Sequence, residues 1–229
     1  MTDTASADAP AMPDPAHAAA RRLKSSAAAI DLIVSEEVSS QAIYQKLYQH
    51  PEWPGGASGV TIGIGYDCGY STPSVIAGDW SDKLPAAMIK ALQEVAGIHG
   101  SPASSHAHAL RGAVTVPWDA AMAVFTERDM PKWESLVALA LPNTDKLAPD
   151  SFGALVSLAY NRGASFAAPG DRYREMRAIH DHMACARFDE IPDEFRSMKR
   201  LWPNMVGLRN RRDHEADLFG KGLAAQRTS

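Results

Sequence analysis

The stretch from Phe152 to Tyr160 (Phe-Gly-Ala-Leu-Val-Ser-Leu-Ala-Tyr) constrains this chain more than any other. Asp150 precedes it in position to cap a helix, and Asn161-Arg162-Gly163 follows, as residues that stop helices do. A helix that is apolar on one stripe lies at a surface. One that is apolar nearly all round has no face to give to water. Residues 152–160 are therefore expected to run buried through the middle of the fold, with other helices packed around them. A chain of 229 residues, 45% hydrophobic and 22% charged, has the material to build that globule.

Other helices follow from periodicity. From Ala18, the residues Leu23, Ala27, Ile30 and Val34 recur at spacings of three and four, and the run ends at Glu36 and Glu37. Leu84 to Val95 has an apolar face. A helix opens near Pro117 and runs through Phe125; Pro131 should kink or end it, with a second segment from Trp133 to Leu141. Tyr173 to Phe188 and Val206 to Leu218 are amphipathic. Tyr44 to Pro54 reads as loop, broken by Pro51, Pro54, Gly55 and Gly56.

Only Ser58 to Asp67 reads as strand. Val60, Ile62, Ile64 and Tyr66 share one face; Thr61, Gly63, Gly65 and Asp67 share the other. The fold class expected is α+β, mostly α, with a small β hairpin or sheet near the N-terminus. No repeat recurs at solenoid spacing. Residues 1–16 are expected to be a disordered tail, since Pro10, Pro13 and Pro15 interrupt a stretch almost without large apolar residues. Residues 17–229 form the single expected domain.

The composition excludes several classes. A formal net charge of −4 lacks the basic excess of a general nucleic-acid binder. Two cysteines cannot build a disulfide scaffold. No apolar run is long enough to span a bilayer, and the N-terminus has neither the basic start nor the apolar segment of a secretory signal.

A few residues could do chemistry. Glu37 ends a helix, where the negative pole of the dipole favours a protonated carboxylic acid; a glycosidase needs such an acid to protonate a leaving oxygen. Neighbouring Glu36 is the alternative, and both could be ordinary solvated charges. Thr61 and Asp67 share a strand face, but in a straight strand they would lie about 20 Å apart. They converge only if the chain turns after Gly63 or Gly65. His106-Ala-His108 and His180-Asp-His182 have a spacing common by chance, with no further ligand at a metal-site spacing, so no metal site is expected. Cys68 has no nearby His or CxxC partner and reads as a half-buried thiol. Arg211 and Glu215 are spaced as an intrahelical pair, beside Arg209 and Arg212.

Three segments, in order, resemble the phage-type lysozymes of glycoside hydrolase family 24. The first has Glu37, Tyr44 seven residues on, then Thr61-Ile-Gly-Ile-Gly65. The second is Ala154-Leu-Val-Ser-Leu-Ala-Tyr-Asn-Arg-Gly163. The third is Gly207-Leu-Arg-Asn-Arg-Arg-Asp-His-Glu-Ala-Asp-Leu218. The chain departs from the family's pattern at Lys46, where an Asp is usual, and at Tyr66, where a His is usual; its loop from Tyr44 to Thr61 is longer. Asp67 resembles instead the Asp of pesticin-like bacteriocin domains.

The resemblance implies a lysozyme-like fold, a small β lobe beside a larger helical lobe. It implies a muramidase that cleaves peptidoglycan with inversion, without cofactor or metal. Glu37 would be the general acid. Thr61 would hold the attacking water and Asp67 would take its proton. Tyr44 would seat the loop and contribute to substrate binding, Asn161 would line the cleft, and Arg211 or Arg212 would stand behind Glu37. A monomer is expected, made in the cytoplasm and released or delivered to the wall by another system. The rival is a catalytically silent lysozyme-like domain that binds peptidoglycan or serves a phage tail or secretion machine. A helical metalloprotein using the His pairs is a third possibility.

Overall fold

The computed structural model describes residues 23–228; the expected tail at residues 1–16 lies outside them. The first described helix, α1 (Ala27–Val38), is capped by Ser26, which accepts from the Ala29 N–H; residues 18–22 of the expected run lie outside the described residues. Leu23 precedes the helix. Ser39, at φ 63°, ends α1, and Ser40 at once caps α2 (Gln41–Leu47). Tyr44 therefore sits in a helix and not in a loop. The missed signal is the Ser40 cap: two turns with one buried residue are too short to show a period.

The glycine-rich segment is a hairpin and not one straight strand. Strand β1 (Thr61–Ile62) pairs antiparallel with β2 (Tyr66–Asp67), placing Thr61 opposite Asp67 and Ile62 opposite Tyr66. Gly63 and Gly65 take φ +60° and +76° and reverse the chain. Val60, Ile62, Ile64 and Tyr66 are all buried, as their alternation implies. Glu52 bridges Thr61 from the other side, so Glu52, Thr61 and Asp67 lie abreast on three adjacent chain segments.

Beyond the hairpin the described chain is helical: α3 (Pro73–Trp80), α4 (Ala86–Gln93), α5 (Ser101–Leu110), α6 (Trp118–Val124), α7 (Met130–Ala140), α8 (Pro149–Arg162), α9 (Arg174–Ala184), α10 (Ile191–Ser197) and α11 (Val206–Arg227), joined by loops and short 3-10 turns. Pro131 does not end its helix. A π-helical turn, Phe125–Asp129, joins α6 to α7 immediately before it. Widening the turn there is how a helix accommodates a residue that has no N–H and a bulky ring. Asp150 is not the cap of α8; Ala148 holds that position and Asp150 lies in the first turn. The C-terminal helix also runs past Leu218, to Arg227.

Helix α8 is the axis of the molecule. Every residue from Ser151 to Ala159 is buried, with α1, α7 and α11 packed on it. Two glycines permit the close approach. A Cβ on Gly153 would lie 2.2 Å from the Ala29 Cβ of α1, and one on Gly222 would lie 2.2 Å from the Ser151 Oγ. Ser151 itself donates to the Phe219 carbonyl at 2.8 Å, so its hydroxyl is satisfied inside the core. Gly153→Ala should therefore destabilise the fold by about 1–3 kcal/mol through overpacking. Calorimetry should show a melting temperature several degrees lower, at roughly 2–4 °C per kcal/mol for a domain of this size.

Candidate active site

Glu37 occupies the last turn of α1 and is partly exposed. Its Oε1 accepts from Arg211 Nη1 at 2.7 Å. Arg211 is buried on α11, and it also donates to Glu215 Oε1 at 3.3 Å and to the Ser157 carbonyl at 3.2 Å. Glu215, buried too, takes further hydrogen bonds from Arg212 at 2.8 Å and from Ser157 at 2.7 Å. Burial opposes the charge on Arg211, but Glu215 and Glu37 outweigh it and hold its pKa above the usual value. Of the two arginines expected behind Glu37, Arg211 makes the contact. Arg212 turns instead to Glu215 and to the Asn161 side chain at 3.3 Å. Glu36 points elsewhere and pairs with His214 at 2.8 Å. Removing Arg211 would strip Glu37 of its counter-charge and leave the buried Glu215 with Arg212 alone. Arg211→Met should cost about 3–5 kcal/mol in urea unfolding, as breaking a buried pair does.

A cavity of about 340 Å³ opens in front of Glu37, lined also by Tyr48, Glu52, Thr61, Gly63 and Gly65. Thr61 Oγ1 donates to the Gly59 carbonyl at 3.3 Å. Gly65 is the tight point. A Cβ there would lie 3.4 Å from Glu37 Oε2 and 3.2 Å from the Tyr160 hydroxyl, on a backbone already at positive φ. The Tyr160 hydroxyl donates to the Ile64 carbonyl and so ties the hairpin turn to α8.

Gly65 also lines a second cavity, of about 760 Å³, with Asp67 and Asn161 on its wall. Asn161 lines this second cavity and not the one in front of Glu37. Asp67 lies opposite Thr61, but its carboxylate already accepts from the Gly59 N–H at 3.0 Å and the Gly69 N–H at 2.8 Å. The carboxylate that shares a cavity with Glu37 and Thr61 is Glu52, whose Oε1 pairs with Arg111 at 3.1 Å. Sequence reasoning missed it. Nothing local marks Glu52, and only its bridge to Thr61 brings it to the site.

Tyr44 cannot touch a substrate. It is wholly buried, donates to the Val116 carbonyl at 2.9 Å and packs edge-on against Trp118. Its part is to seat α2, and the contact expected of it as a binding residue is corrected. Lys46 is exposed on α2 and lines neither cavity. Tyr66 is buried and donates to Asp79 at 2.8 Å. Cys68 is wholly and not half buried, which pushes its thiol pKa far up. Among the described residues no group of three or more His, Cys, Asp or Glu side chains could hold a metal ion. His182 instead lies between Glu190 and Glu194.

Asp129, at the end of the π-helical turn, lines the second cavity. Burial raises its pKa to about 7, against the pull of Lys132 and with help from Asp79. The folded chain therefore holds a proton there that the unfolded chain releases in the ordinary carboxylate range. Stability should fall as pH rises from that range to about 7, then level off. Asp129→Asn should flatten this slope in chemical denaturation followed across pH.

No protein-family model matches the chain, and no curated protein matches it. No described helix is long and apolar enough to cross a membrane.

Proposed function

We propose that this chain is a lysozyme-type peptidoglycan hydrolase. It cuts the β-1,4 bond between N-acetylmuramic acid and N-acetylglucosamine with inversion at the anomeric carbon. The observation that carries the reading is a carboxyl group and a hydroxyl, Glu37 and Thr61, on the wall of one cavity, with the buried Arg211 behind the carboxyl. Glu37 gives its proton to the glycosidic oxygen as the bond to the anomeric carbon breaks. Arg211, at 2.7 Å, stabilises the carboxylate left behind. Thr61 holds a water on the opposite face of the sugar, and the water oxygen bonds to the anomeric carbon as its proton passes to Asp67. Asp67 Oδ1 accepts two backbone N–H groups while Oδ2 accepts a single shared one, so Oδ2 keeps room for a proton. The reaction uses neither metal nor cofactor. The protein works as a monomer on wall reached after release or delivery by another system.

One observation favours a second reading, a catalytically silent wall-binding domain: the backbone of Gly59 and Gly69 already holds the proposed base. Mutants separate the two. Glu37→Gln keeps volume and shape but has no proton to give, and should lower wall lysis on the order of 10² to 10⁴. Glu36→Gln should leave lysis near wild type. Asp67→Asn keeps one carbonyl acceptor for the backbone groups and should cost more activity than Glu52→Gln. Lysis is read on a zymogram, and the cut by mass spectrometry of fragments ending in reducing muramic acid. A wild-type chain that binds wall but releases no fragments selects the silent reading. A larger loss from Glu52→Gln than from Asp67→Asn moves the base to Glu52.

A further inference from the structure

The second cavity carries more positive charge than a chain of net charge −4 leads one to expect. Lys132 of α7, Arg162 at the end of α8 and Arg172 before α9 line it together. None of the three makes an ion pair among the described residues, although most other described arginines do. Arg162 is held deepest. Its guanidinium lies 5.0 Å from the centre of the Trp202 ring and 5.9 Å from that of Tyr173. One nitrogen donates to the Arg172 carbonyl at 2.6 Å, while Nε and Nη1 are buried without an acceptor. Burial draws its pKa down to about 10, the mark of a guanidinium without a counter-ion.

The nearby carboxylates are engaged by other groups. Asp171 and Glu175 are taken up by Arg174 and Arg200. Of the two acids on the cavity wall, Asp67 faces backbone N–H groups and Asp129 holds its proton up to about pH 7. Lys132 and Arg172 are exposed and free to reach a ligand, with Arg162 as fixed positive charge behind them. The cavity adjoins the Glu37 cavity at Gly65, which lines both.

Resting on the muramidase reading, we propose that this cavity is a subsite for the peptide branch of the glycan, recognising its free carboxylates through Lys132, Arg162 and Arg172. A glycan strand seated at Glu37 would extend its branch past Gly65 into the cationic wall. Asn161, held by Arg212 at 3.3 Å, keeps its amide nitrogen for the peptide backbone.

Isothermal titration tests the subsite without requiring catalysis. The probes are a soluble disaccharide–tetrapeptide wall fragment and the same fragment with its peptide carboxylates amidated. Wild-type protein should bind the carboxylate form at least about tenfold more tightly, the worth of one or two charge-assisted hydrogen bonds. The Lys132→Gln/Arg172→Gln double variant should lose this preference. Both positions are exposed, and an unchanged far-ultraviolet circular dichroism spectrum checks that the variant is folded. Equal binding of the two fragments by wild type overturns the subsite. So does binding of neither, or a preference that survives in the variant. Absence of lysis with the charge preference intact would remove the cleavage reading alone, and lysis without the preference would remove the subsite alone.

Discussion

The Arg211 guanidinium is the contact on which the rest of this structure converges. It joins α1 through Glu37, α8 through Ser157 and α11 through Glu215. A buried charge of this kind is tolerable only when its donors find acceptors. The three helices therefore cannot slide independently without leaving a charge unmatched in the core. Apolar burial along α8 supplies the bulk of the favourable free energy, but it is indifferent to rotation and register. The ionic network selects one arrangement among the many that would bury the same surface. It also fixes where Glu37 stands, so the carboxylate with potential chemistry is oriented by the same contact that aligns the core.

The hairpin depends on a different constraint. Two glycines at positive φ turn the chain within three residues, and Tyr160 of the central helix holds the turn by its carbonyl. Gly65 is confined twice over, by its backbone angle and by the approach of Glu37 and Tyr160. Gly65 therefore stands on the wall of both cavities. One side offers Glu37 and Glu52; the other offers Lys132, Arg162 and Arg172.

Much was legible in the sequence wherever a local rule applied. The burial of residues 151–159 followed from an apolar stretch with no polar stripe, since no orientation of such a helix satisfies water. The burial of Val60, Ile62, Ile64 and Tyr66 followed from strict alternation. Glu37 at a helix end and the flexibility of Gly63 and Gly65 were also local properties. The helical state of Tyr44 was not legible, because α2 makes only two turns and buries one side chain. The segment after Pro131 was expected, but the π-helical turn that joins it to α6 was not legible, because such a turn leaves no composition signal.

What only the tertiary structure decided are the meetings of residues distant in sequence. Glu37 and Arg211 are 174 positions apart, and the choice of Arg211 over Arg212 depends on the rotation of α11 against α8. Glu52 reaches the cavity solely through its bridge to Thr61, and Asp67 faces Thr61 solely because the hairpin register is Thr61 to Asp67. The three cations on the wall of the second cavity come from three separate elements and share no local pattern. Periodicity reports which face of an element is buried. It carries no information on which partner covers that face or at what angle, and those are settled by packing and by the need to match buried charge.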